Sequence, residues 1–201
     1  MVTPKKSLTG LNPTWSGPIS KRVVIAHGWA DDPGRGWLKW LVDVLAKQGI
    51  EASAPQFPEP KKPVIKDWMG TFREAVGQPD SELVLVGHSL GCLIVCKYLS
   101  DLDPAIKIAG IVLVAGMTTT ESWRPEGLYP IDFDKVESIA SKRICIYSDD
   151  DDKVPPERTK ELAVLLDAEL IHDPGNGHFA GIQGTTELPS ALDAINSIFS
   201  S

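Results

Sequence analysis

The pentapeptide Gly87-His88-Ser89-Leu90-Gly91 fits the pattern G-x-S-x-G and stands between two apolar runs, Leu83 to Val86 and Leu90 to Leu99. The first run reads as a buried strand broken at Gly87, the second as a helix packed inside a fold. Between such elements a serine sits on a tight turn at the carboxyl end of the strand, and its hydroxyl projects outward. Bulky neighbours would clash there, and Gly87 and Gly91 remove them. The helix that follows aims its first N–H groups at the same place, where they can hold an oxyanion. The chemistry implied is nucleophilic attack by the Ser89 hydroxyl. Without its flanking elements the pentapeptide would be only a glycine-rich turn.

A serine hydroxyl is a weak nucleophile and needs a base. The chain offers four histidines. His88 lies inside the turn and is expected to point into the fold. His27 ends the first strand ahead of Gly28, where a structural role fits, and His172 lies at a strand end. His178 stands in Pro174-Gly175-Asn176-Gly177-His178-Phe179, a loop between the last strand and the last helix, on the same sheet edge as Ser89. It completes the chain order nucleophile, acid, base. The acid is then expected after the strand Ile144 to Tyr147, where Asp149, Asp150, Asp151 and Asp152 are consecutive. Mutual repulsion prevents burial of all of them, so most face water and one turns inward. Asp149 is nearest the strand and Asp152 nearest the next helix, which leaves Asp150 and Asp151 at the turn toward the histidine loop. Their spacing does not make an EF-hand. For an oxyanion, Leu90 supplies one N–H, and the second is expected from Trp29 in His27-Gly28-Trp29, just after the first strand. No metal or organic cofactor is implied.

These residues need a frame to hold them. Val23 to Ala26, Leu83 to Val86, Ile111 to Val114 and Ile144 to Tyr147 read as buried strands, with weaker ones at Glu51 to Ala54 and around Leu170 and Ile171. Helical spacing joins Trp37, Leu38, Trp40, Leu41, Val44 and Leu45, and again Val64, Ile65, Trp68, Met69, Phe72 and Val76. A helix is expected over Thr159 to Leu166. A last one has Pro189 in its first turn and a buried stripe of Leu188, Leu192, Ile195, Ile198 and Phe199. Apolar strands alternating with helices predict an α/β fold: a mostly parallel central sheet covered on both faces. The irregular stretch from Gly116 to about Pro130 carries Trp123 and Tyr129, the candidate substrate-pocket residues.

The chain has 201 residues and a net charge of −7, which argues against nucleic acid or an anionic membrane as partner. Three cysteines, Cys92, Cys96 and Cys145, form neither a disulfide framework nor a zinc pattern. Residues 1–20 are expected to be a flexible arm, with one domain over 21–201. The arm has no apolar stretch long enough for a signal peptide or membrane span, so the cytoplasm is the default location.

From about Lys21 onward the chain resembles the small serine hydrolases of the retinoblastoma-binding protein 9 type, a minimal branch of the α/β-hydrolases without a large cap domain. The likeness rests on the short first strand, Gly-His-Ser-x-Gly, an Asp-Asp-x-x-Val-Pro-like segment and Gly-His-Phe. It implies that the acid is the aspartate four before Pro155, which is Asp151. It also implies esterase-like hydrolysis of a small ester or thioester by Ser89, His178 and Asp151. This chain departs from the family in reading His-Gly-Trp after the first strand, where a Pro-Gly form is common. The rival reading is a non-catalytic protein-binding module that keeps the hydrolase shell, since fold does not dictate function.

Overall fold

The computed structural model describes residues 20–120, 125–181 and 184–200. The arm expected over 1–20 lies outside them except for Ser20, and so does Trp123. Six strands form one sheet: β1 (Arg22–Ala26), β2 (Glu51–Ser53), β3 (Leu83–His88), β4 (Ile108–Val114), β5 (Ala140–Tyr147) and β6 (Glu169–His172). Their order is β2-β1-β3-β4-β5-β6, and every pairing is parallel.

The helices are α1 (Gly36–Lys47), α2 (Ile65–Val76), α3 (Leu90–Asp101), α4 (Phe133–Ile139), α5 (Pro156–Leu165) and α6 (Pro189–Phe199). Successive residues of a strand face opposite sides of the sheet, and here both sides are covered. Val24, Leu85, Ile111 and Leu113 pack with Trp68 and Phe72 of α2, Leu93 of α3 and Leu162 of α5. Val23, Ile25, Val86 and Val112 pack on the other side with Trp37 and Leu41 of α1 and Ile195 of α6. Every residue of β3 is buried, which is why its sequence is a continuous apolar run.

Several details differ from the pattern read in the sequence, among them β4 starting at Ile108 and α5 at Pro156, each ahead of the expected residue. The helix α4 has no counterpart there: of its seven residues only Val136 and Ile139 are buried, too few to show a period. Strand β5 begins at Ala140, ahead of the apolar run, because its polar residues are bonded along the way: Arg143 Nε donates to Leu166 O at 2.6 Å. On α6 the buried stripe runs through Ala191, Ala194, Ile195 and Ile198, with Leu192 and Phe199 half-buried.

From β1 the chain moves outward to β2, then returns across the sheet to β3. The segments leaving β1 and β3 lead to α1 and α3, on opposite faces, and a crevice opens between them at the carboxyl ends of the strands. His27-Gly28-Trp29 and Ser89 meet at that crevice.

Candidate active site

Ser89 has φ 53° and ψ −120°, a conformation that costs a non-glycine residue about 1–3 kcal/mol. Its N–H donates to Val114 O at 2.9 Å, which ties the turn to β4. The backbones are packed without room for side chains. A Cβ on Gly91 would fall 2.0 Å from Ala26 O, and one on Gly87 would fall 2.6 Å from Cys92 Cα.

His178 Nε2 lies 2.9 Å from Ser89 Oγ, and its Nδ1 lies 2.8 Å from Asp151 Oδ2. The Asp151 side chain is 2% exposed, and its Oδ1 accepts the N–H groups of Lys153 at 2.8 Å and Val154 at 2.9 Å. A carboxylate only accepts, so Nδ1 carries the imidazole proton and Nε2 presents its lone pair to the serine hydroxyl. Asp151 is thus the aspartate that turns inward.

The other aspartates are exposed, but two of them grip the histidine loop rather than standing idle in water. Asp150 Oδ1 accepts from Ser148 Oγ at 2.6 Å and from Gly177 N–H at 2.8 Å. Those bonds hold its carboxyl below the usual carboxylate range. Asp149 Oδ1 accepts the Gly175 N–H at 3.2 Å, and Ser148 Oγ accepts the Asn176 N–H at 3.0 Å. Asp152 pairs with Lys153. On the far side of His178, Phe179 has φ 55° and a fully buried ring, and its carbonyl takes the Trp37 indole N–H at 2.8 Å. The sequence reading gave no site role to Phe179, Trp37 or Ser148, although Phe179 stands in the Gly-His-Phe motif and Trp37 in the apolar stripe of α1. The aromatic after the Gly-His pair was the available signal for the first.

The remaining histidines are held in place. His88 Nε2–H donates to His178 O at 2.8 Å, and its Nδ1 faces Asp31 Oδ2 at 3.3 Å. Burial pushes the Asp31 carboxyl up, but its hydrogen bond to His88 and that ring's charge outweigh the effect, and it lies below its ordinary value. His27 is buried. Its Nδ1–H donates to Gly28 O at 2.7 Å and its Nε2 accepts the Phe57 N–H at 3.0 Å, while burial lowers its pKa. His172 is half-exposed and stacks on Tyr147. The cysteines are not placed to supply a thiolate nucleophile. All are buried, and burial pushes each thiol up, Cys145 to about 12.

A cavity of about 1470 Å³ opens over Ser89 and His178. Trp29 and Leu90, the expected oxyanion donors, both line it. A Cβ on Gly28 would lie 3.1 Å from Ser89 Cβ, so the loop after β1 passes directly beside Ser89. The Trp29 indole is 60% exposed, a wall of the cavity rather than a core ring. Of the segment 116–130, Met117 and Thr120 line the cavity. Tyr129 is not among the lining residues: half-buried against the core, it accepts the Thr120 N–H on its hydroxyl at 2.8 Å. Among the described residues no group of His, Cys, Asp and Glu is arranged to hold a metal ion, and no helix is long and apolar enough to cross a membrane.

A parallel sheet with a serine on a strand-to-helix turn, facing a histidine from the loop before the last helix, is the architecture of the α/β-hydrolases. The model of the serine hydrolase family matches residues 23–197, and the chain belongs to that family. It is 32% identical over 186 residues to YdeN of Bacillus subtilis (strain 168), a protein named as a hydrolase, over 90% of this chain and 98% of YdeN. The crystal structure of the ydeN gene product superposes with a TM-score of 0.85, covering 90% of this chain and all of that one. Est1E from Butyrivibrio proteoclasticus, solved with ferulic acid bound, shares the fold at 14% identity and a TM-score of 0.66, over 93% of this chain and 91% of Est1E.

Proposed function

We propose that this hydrolase cleaves a small ester or thioester through an acyl-enzyme, with Ser89 as nucleophile, His178 as base and Asp151 as its orienting acid. The observation that carries this reading is the hydrogen-bonded line from Ser89 Oγ through His178 to Asp151, with contacts of 2.9 Å and 2.8 Å. Ser89 Oγ attacks the substrate carbonyl carbon while His178 Nε2 takes the hydroxyl proton. The carbonyl oxygen becomes an oxyanion, held by the N–H groups of Trp29 and Leu90. The carbon–oxygen or carbon–sulfur bond to the leaving group breaks, and His178 returns the proton to that group. Water then attacks the acyl-serine with His178 again as base, which releases the carboxylic acid and restores Ser89.

Kinship with the retinoblastoma-binding protein 9 type is part of the proposal and rests on the motifs around Ser89, Asp151 and His178. A pure binding module would have no need of the serine–histidine–aspartate geometry. Covalent labelling by a serine-directed fluorophosphonate and hydrolysis of para-nitrophenyl acetate test the reading. Both should be present in the native chain and absent in a folded Ser89→Ala variant. Full labelling of that variant would overturn it.

A further inference from the structure

We propose that the substrate of this site carries an anionic group, held by Lys61 and Lys62 at the mouth of the cavity. The inference rests on the esterase reading above and adds a substrate class to it.

The chain as a whole repels anions, with 27 acidic against 20 basic residues. The cavity over Ser89 has the opposite balance. Arg35, Lys61, Lys62 and Lys153 line it, against the carboxylates of Asp31 and Asp32. Both carboxylates are already engaged, Asp31 by His88 and Asp32 by Arg35 at 2.7 Å. Lys153 is neutralised by Asp152 at 2.9 Å. Lys61 and Lys62 are left, and among the described residues neither forms an ion pair. Two adjacent uncompensated ammonium groups beside low-dielectric walls concentrate positive potential where a substrate must enter.

The turn that carries them is built, not loose. The Lys62 N–H donates to Glu59 O at 2.7 Å, in a stretch stiffened by Pro58, Pro60 and Pro63. Two bonds join this turn to the oxyanion loop: Ala30 N–H to Pro60 O at 2.8 Å, and the Trp29 indole N–H to Lys61 O at 3.2 Å. The lysines therefore stand on a turn bonded to the loop that carries Trp29. The exposed Trp29 indole, bonded to Lys61 O, lines the same cavity as Ser89. The substrate that fits is an ester with a short apolar body and a carboxylate or phosphate at one end.

Three probes test this: neutral para-nitrophenyl butyrate, the para-nitrophenyl hemiester of succinate, and para-acetoxybenzoate. The second carries its anion on the acyl side and the third on the leaving group. The native chain should favour at least one anionic probe in kcat/KM, and the responding probe shows which side faces the lysines. The ratio of anionic to neutral kcat/KM should fall by about tenfold in Lys61→Ala/Lys62→Ala and further in Lys61→Glu/Lys62→Glu, chiefly through KM. The native preference should also shrink at an ionic strength of about 1 M, where the Debye length is about 3 Å. An equal ratio in the native chain and both double variants overturns the inference while leaving the esterase reading intact. Neutral-ester hydrolysis that is absent, or that persists in Ser89→Ala, would instead bring down the esterase reading, and this inference with it.

Discussion

Two histidine–aspartate pairs lie side by side in this site, their rings 5.1 Å apart, and only one is arranged as a base. In both, Nδ1 faces a carboxylate: Asp151 for His178 and Asp31 for His88. They differ at the other nitrogen. His178 Nε2 meets a hydroxyl, which can give up a proton, whereas His88 Nε2 meets the His178 carbonyl, which can only accept one. His88 therefore has no lone pair to offer there and acts as a strut under the neighbouring loop. Residue type and a carboxylate partner do not make a base; the group facing the second nitrogen does.

That contrast can be broken by exchange. The largest effect is expected at the first pair. His178→Ala should reduce ester hydrolysis to background, and Asp151→Asn should cost on the order of 10⁴ in kcat by favouring the wrong tautomer, as in serine-protease triads. If His88→Gln cost as much as His178→Ala, the strut assignment would be wrong. The expected loss there is about ten- to a hundredfold in kcat, since the variant shifts the His178 backbone without removing the base. Asp150→Ala should cost about tenfold for the same reason, because it frees the Gly177 N–H and lets the loop drift. Kinetics on one activated ester rank all four.

Asp31 sharpens the comparison through pH. Its carboxyl lies below its ordinary value in the folded chain, so it adds stability above its unfolded pKa and loses it as pH falls through the folded one. The melting temperature of Asp31→Asn should be lower than that of the native chain near pH ~7, and the gap should close below pH ~4. A gap that widened in acid would contradict the pairing with His88. The smallest change is expected for His172→Ala, whose half-exposed ring stacks on Tyr147 on the β6 side of β5. Its ester hydrolysis should stay within about twofold of native, as for a surface ring outside the reacting line.

The meeting of Ser89 and His178 was legible in the sequence because strand, motif and chain order each carry a local signature. Asp151 was legible only through resemblance. Four chemically identical neighbours cannot be ranked by type, and the choice is made by the turn that brings the Lys153 and Val154 N–H groups onto its Oδ1. The supports of the site were not legible. Trp37 reaches the Phe179 carbonyl across 142 residues of chain, and His88 reaches that of His178 across 90. A carbonyl acceptor is present on every residue, so no pattern marks those that receive such bonds. The lysine turn was hidden in the same way, since its place beside Trp29 depends on main-chain contacts at Ala30 and Lys61.

The contact of Gly91 with Ala26 O bears on how this protein can diversify. There the first turn of α3 rests on the end of β1, main chain against main chain. The spacing between the start of α3 and the end of β1 is therefore set there by bare backbone. The cavity walls at Met117, Thr120 and the lysine turn are side chains on irregular segments, under no such restriction. Drift at the walls can thus proceed without disturbing the packing of α3 on β1 beside Ser89. A library that randomises the walls should yield altered selectivity in folded proteins, whereas one that includes position 91 should return glycine there almost every time.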